Sequence, residues 1–253
     1  MSLVNETNLK SILKKIPHNT IVTTNWLVKQ GVSNQLLFKY ANNGWLKKLN
    51  SGAYLKIGDN ESINGAIYAM QEQLNLSVHI GGITALNEYY SIMHNIPFEK
   101  KQQLFGIRGE KLPKWFNTLY GKDIELNISS FLPKNISITE QNHGDFKTKI
   151  SSLERAVLEM LYQTPDKITL NEAYQIFELL ITVKPKEFQV LLEQCTSIKV
   201  KRLFLYLAEM VNHNWFKRLD LTKIDLGKGV REITKGGKHN KKYNIIIGDV
   251  TEI

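Results

Sequence analysis

The chain has 253 residues, 33 Lys plus Arg against 24 Asp plus Glu, 42% hydrophobic residues and one cysteine. At ~100 to 200 residues per domain this length holds one large or two smaller domains, and an apolar fraction near the globular average excludes a chain disordered throughout. No run approaches the ~18 apolar residues that span a bilayer, and Met1 to Lys15 are too polar for a secretory leader, so a soluble, cytoplasmic protein without membrane contact is expected.

The single cysteine, Cys195, cannot form an intrachain disulfide or a multi-cysteine zinc site. The net charge of +9 is concentrated in two blocks. Residues 1–58 carry eight lysines and one acid, Glu6; residues 217–242 carry nine basic and three acidic residues; residues 59–216 are nearly balanced, with 16 basic and 18 acidic. A short basic module on a nearly neutral body is the pattern of a chain that meets a polyanion with one of its parts. A merely solvated basic surface is the alternative.

Leu9, Ile12, Leu13 and Ile16 have the spacing of one helix face, stopped by Pro17. Thr23 or Thr24 can cap a short second helix through Trp26, Leu27 and Val28, ended by Gly31. Ser33 caps a third, from Asn34 to Asn43, with Leu36, Leu37, Tyr40 and Ala41 inward and Gly44 as its stop. Two helices around a short Gly-containing turn predict a helix-turn-helix. Trp45 to Leu49 and Ala53 to Ile57 then read as strands around the turn Asn50-Ser51-Gly52. Residues 1–58 are therefore expected to form a winged helix-turn-helix, with the third helix entering the major groove and the wing on the phosphate backbone. The expected DNA-binding residues are Thr24, Ser33, Asn34, Gln35, Lys39, Asn42, Lys47, Lys48, Asn50 and Lys56, with Phe38 near the boundary of the outward face. Asn and Gln can pair bidentately with adenine, and the lysines suit phosphates. This fold also serves protein contacts; the lysine excess favours double-stranded DNA.

The polar break Asp59-Asn60-Glu61 marks the expected boundary, giving a second domain over 59–253. Its expected elements are a helix from Ile63 to Leu74, strands at Ser77–Ile80, Gln103–Arg108, Ile124–Phe131 and Ile136–Glu140, and a helix from Thr84 to Met93. Residues 151–213 read as a helical block. Ser151 with Glu154 and Thr169 with Glu172 have the spacing of capping boxes, Pro185 suits a first helical position, and Cys195 lies on an apolar stripe as a buried structural thiol. A basic strand and loop tail occupies 217–253. The fold class is α+β: a winged helix-turn-helix followed by a larger mixed α/β domain, mixed to about residue 150 and helical beyond it.

The sequence lacks the usual motifs of catalysis. The six histidines lack metal-ligand spacing, no nucleophile motif occurs, and Gly227-Lys228-Gly229 and Gly236-Gly237-Lys238 fail the spacing of a phosphate loop, so no cofactor and no metal are expected. His79-Ile80-Gly81-Gly82 with Asp123 and Glu125 faintly resembles the Gly-rich turn and paired carboxylates of nucleotidyltransferases, although Ile83 stands where Ser or Thr belongs. A nucleotide-handling enzyme with a basic appendage is thus the alternative reading. In the tail, Lys228, Arg231, Lys235 and Lys238, with Lys199, Lys201 and Arg202 nearby, would form a positive face if they converge; a solvated surface is the plainer reading.

The order Gly44-Trp45-Leu46-Lys47-Lys48, Ser51-Gly52-Ala53-Tyr54, His79-Ile80-Gly81-Gly82-Ile83-Thr84-Ala85-Leu86, Ser152-Leu153-Glu154-Arg155-Ala156, Lys199-Val200-Lys201-Arg202-Leu203 and Leu226-Gly227-Lys228-Gly229 resembles the AbiEi family of antitoxins and transcriptional regulators over nearly the whole chain. The resemblance implies a bacterial type IV toxin-antitoxin and phage-defence (abortive-infection) protein that is not an enzyme. It implies a winged helix that represses its own operon by binding an operator in the promoter. It implies a C-terminal domain that opposes a nucleotidyltransferase toxin without necessarily forming a stable complex, and the nucleotidyltransferase look of Gly81-Gly82 then carries no activity.

Overall fold

The computed structural model of the chain describes residues 11–92 and 101–250. Leu9, in the first expected helix, and Met93, at the end of a later one, lie outside the described residues. Residues 11–13 are helical, and Ile12 and Ile16 are buried. A short strand, β1 (Val22–Thr23), runs into α1 (Thr24–Lys29) because the Thr23 hydroxyl, not that of Thr24, accepts from Trp26 N at 3.3 Å. Gln30, Gly31, Val32 and Ser33 form the turn, with Gly31 at φ +88°. The Ser33 hydroxyl then accepts from Leu36 N at 3.2 Å and opens α2 (Asn34–Asn42). Next come β2 (Leu46–Asn50) and β3 (Ala53–Lys56), which pair antiparallel through a turn with Gly52 at φ +89°; the sheet order is β1-β3-β2. Ile12, Ile16, Val22, Leu27, Val32, Leu37, Tyr40 and Leu46 share one core, and each large aliphatic side chain in it contributes roughly 1.5–3 kcal/mol by leaving water.

The chain continues into α3 (Ile63–Tyr68), capped by Ser62, and then widens into a π-helical turn, Ala69–Gln73. That turn points two glutamines inward. The Gln73 amide donates to Ile21 O at 2.6 Å and accepts from Thr23 N at 2.8 Å, while the Gln71 amide donates to Val78 O and accepts from Lys149 N, each at 2.8 Å. Both side chains complete backbone groups that the short strands leave open.

The remaining elements in chain order are β4 (His79–Ile80), α4 (Gly82–Glu88), β5 (Gln102–Gly106), α5 (Lys114–Tyr120), β6 (Ile124–Ile128), β7 (Ile138–Asn142) and β8 (Lys147–Ser151), followed by α6 (Leu153–Gln163), α7 (Leu170–Leu179), α8 (Pro185–Gln194) and α9 (Ile198–Val211). The tail adds β9 (Arg231–Glu232), β10 (Lys238–Asn240) and β11 (Ile245–Ile247). One sheet has the order β6-β5-β4-β8-β7, with β4 and β8 parallel through Ile80 and Ile150; the tail sheet has the order β10-β11-β9. The architecture is mixed α/β with several sheets.

The chain divides into two compact units, Met1–His79 with Gly106–Leu126 and Glu140–Lys149, and Ile80–Phe105 with Asn127–Thr139 and Ile150–Ile253. The polar break at residues 59–61 falls inside the first, where the Asp59 carboxylate holds His18 Nδ1 at 2.7 Å and Asn19 N at 2.9 Å. In the second, Phe177, Phe188, Phe204 and Trp215 pack ring against ring, and Trp215 Nε1 donates to Leu180 O at 2.7 Å. Cys195 is buried there, and that burial pushes its thiol up to about 11.

Several local expectations need correction. Ser152, not Ser151, caps α6 by accepting from Arg155 N at 3.3 Å; Ser151 instead donates to Glu159 Oε2 at 2.6 Å. The Thr169–Glu172 capping box and Pro185 at the first turn of α8 stand as read. Helix α4 is shorter than the expected Thr84 to Met93, and α5 and β8 were not foreseen. In β8 the alternation is short and its outward residues are Lys147 and Lys149, so only Thr148, Ile150 and Ser151 betray a buried face.

Candidate nucleic-acid interface

Helix α2 turns Leu37 and Tyr40 into the core and leaves Asn34, Gln35, Phe38, Lys39 and Asn42 exposed. These fall at helical spacings of three and four, so they share one outward stripe. Ser33 is also exposed, but its hydroxyl is engaged as the cap. Thr24 is half-buried at the first position of α1.

The hairpin places Lys47 and Lys48 in solvent on successive positions of β2, opposite Leu55 and Tyr54, with a bulge between Lys48 and Asn50. Asn50 is half-buried and its side-chain oxygen accepts from Ser51 N at 2.6 Å, closing the turn. Thr24 N donates to Gly52 O at 3.1 Å, which ties the tip to the start of α1, and a Cβ at Gly52 would come within 3.7 Å of the Trp115 ring. Lys56 differs from the other lysines. Its side chain is only 12% exposed, and Nζ donates to Ile16 O at 2.9 Å and lies 3.7 Å from Asp59 Oδ2. That ammonium fastens β3 to the end of the first helical segment and is poorly placed to reach a phosphate.

In the second unit the expected positive face separates into two groups. Lys201 and Arg202 are buried. Lys201 Nζ donates to Asp225 O at 2.8 Å, while the Arg202 guanidinium donates to Leu226 O, Gly227 O, Gly229 O and Asn244 O. Burial, and the nearby charge of Arg231, hold Arg202 below the usual guanidinium pKa. Lys199 is half-buried, donating to Tyr162 O and Thr164 O at 2.8 and 2.7 Å; burial lowers its pKa. These three side chains complete carbonyls at loop and helix ends instead of facing a partner. Lys228, Arg231, Lys235 and Lys238 are exposed, Lys238 with its ammonium on Asp249 at 2.9 Å.

The Gly81-Gly82 turn is already filled. Gly82 N donates to Glu159 Oε2 at 3.1 Å and Ile83 N to Gln103 Oε1 at 3.2 Å. A Cβ at Gly81 would overlap the Glu159 carboxylate. A buried carboxylate thus stands where a triphosphate would need open N–H donors. Asp123 is exposed and Glu125 is half-buried on β6. Among the described residues no group of three or more His, Cys, Asp or Glu could hold a metal ion, and no helix is long and apolar enough to cross a membrane.

Comparison with known families matches residues 5–98 to the model described as "Transcriptional regulator, AbiEi antitoxin N-terminal domain" and residues 99–248 to "Transcriptional regulator, AbiEi antitoxin, Type IV TA system". Among solved structures, the crystal structure of the RV2827C protein from Mycobacterium tuberculosis superposes with a TM-score of 0.55 at 12% identity, over 96% of this chain and 90% of that one. That likeness is one of fold. No curated protein matches.

Proposed function

Because the chain belongs to the AbiEi family of type IV antitoxin transcriptional regulators, we propose that residues 1–58 act as a winged helix-turn-helix that binds double-stranded DNA in the promoter of its own operon and represses it, while the rest of the chain counteracts a nucleotidyltransferase toxin. The observation that carries the DNA reading is the exposed stripe Asn34, Gln35, Lys39 and Asn42 on α2, followed by a hairpin that presents Lys47 and Lys48. The stripe offers amides for base edges, and the hairpin offers cations for phosphates. Ser33, Asn50 and Lys56 serve by holding helix and wing in place.

In the antitoxin role Lys228, Arg231 and Lys235 form the basic surface, acting by long-range attraction and needing no stable complex. Lys201 and Arg202 support the loop that carries it, whereas Lys199 holds the end of α6 through Tyr162 O and Thr164 O. No step of the proposed function uses a cofactor.

The test is fluorescence anisotropy of the full chain on a duplex from upstream of its own reading frame, between 50 and 200 mM salt. The full chain is required because Gln73 hydrogen-bonds Ile21 and Thr23, so a cut at residue 58 removes part of the module's support. Binding that weakens with a log–log slope of about −0.9 per phosphate contacted supports the reading. Absence of binding at low salt refutes it.

A further inference from the structure

Phe38 is 68% exposed although it sits at the middle of α2, whose buried side is supplied by Leu37 and Tyr40. The ring therefore contributes little to the core and leaves a large apolar surface in water. Its position is specific: Asn34 precedes it by one helical turn and Asn42 follows it by one, so the three side chains lie along one line. Gln35 and Lys39 flank that line and are exposed as well. An aromatic ring set within hydrogen-bonding side chains fits a surface that is mostly polar but carries isolated apolar points.

The major groove is such a surface, and its apolar point is the C5-methyl group of thymine. We propose that Phe38 is a specificity-determining residue that packs against a thymine methyl in the operator, beside the base pairs read by Asn34 and Gln35. This inference rests on the DNA reading above and adds to it a base and an atom. Asn and Gln favour adenine on one strand, and a methyl contact favours thymine, so the site should be rich in A·T pairs where α2 docks.

The test uses the full chain and a preferred duplex selected from a random-sequence pool. Each thymine in that duplex is replaced singly by deoxyuridine, which removes the methyl and leaves every hydrogen-bonding group. At one or two positions the wild-type protein should lose about three- to five-fold in affinity, the effect of one methyl returned to water. Phe38→Ala should bind the thymine duplex more weakly and show no further loss on deoxyuridine, whereas Phe38→Leu should retain part of the methyl effect. Because the side chain is exposed, both variants should melt with the wild type. A selected duplex insensitive to every deoxyuridine, or equally sensitive with Phe38→Ala, overturns the Phe38 assignment and leaves DNA binding standing. If Phe38→Ala changes the oligomeric state instead, the ring is a protein contact and the proposal fails. Selection that enriches no sequence overturns base reading by α2 altogether.

Discussion

The Arg202 guanidinium donates to the carbonyl oxygen of Gly229 at 2.6 Å, and the same side chain reaches the carbonyls of Leu226, Gly227 and Asn244. One buried cation from α9 thereby organises the glycine-interrupted loop that leads to β9. Arg202→Met should leave several carbonyls without donors and cost about 3 kcal/mol or more. Arg202→Lys should recover little, because an ammonium cannot span the same fork. Urea unfolding at neutral pH measures both; a loss below ~1 kcal/mol for either variant contradicts this role.

Lys56 and Lys48 should separate stability from DNA affinity. Lys56→Ala removes the bond to Ile16 O and should destabilise the fold by about 1 kcal/mol, with DNA affinity at low temperature nearly unchanged. Lys48→Ala should leave the melting temperature in place and weaken selected and random duplexes alike. Thermal melts beside anisotropy titrations check the pair, and the reverse pattern would assign Lys56 to the phosphate backbone.

Helix α2 was legible in the sequence because its cap, Ser33, and its stop, Gly44, are local signals and its apolar spacing is regular. The Lys47–Lys48 strand was legible for the same reason, through the Asn50-Ser51-Gly52 turn. Lys56, Lys201 and Arg202 were not, since the groups that occupy them belong to Ile16, Asp225, Gly229 and Asn244, far away along the chain. A lysine-rich sequence announces charge but not which ammonium is already spent on a carbonyl. Glu159 was hidden likewise: only the fold brings its carboxylate onto Gly82 and Ser151 and so fills the turn that resembled a nucleotide site.

Burial, and then a hydrogen bond to Glu187, push the Glu154 carboxyl up to about 7, although Lys184 N also donates to it at 2.7 Å. The folded state therefore holds a proton that the unfolded chain releases near the ordinary glutamate value. The resulting stabilisation is full below about pH 4.5 and declines as pH rises toward about 7. Glu154→Gln should remove this contribution to the slope and be more stable than wild type at pH 7.5, by roughly 1–3 kcal/mol. Chemical unfolding of both proteins at pH 5.5 and 7.5 measures the difference; parallel slopes would mean that Glu154 titrates normally.

Reversing Lys228, Arg231 and Lys235 to Glu together should leave the fold intact, as all three side chains are exposed. Operator binding should survive, whereas protection against a co-expressed cognate nucleotidyltransferase toxin should be abolished. Growth after toxin induction, with circular dichroism of the purified variant, is the readout. Full protection by a folded triple mutant would remove this surface from the antitoxin role.

Base reading by α2 is measured by the ratio of affinities for the selected and random duplexes, compared between wild type and the full-length variants Asn34→Ala and Gln35→Ala. At least one variant should lose about 1–3 kcal/mol on the selected duplex and little on the random one, collapsing the ratio while non-specific binding persists. Equal losses on the two duplexes, or no loss on either, would contradict base recognition by this helix.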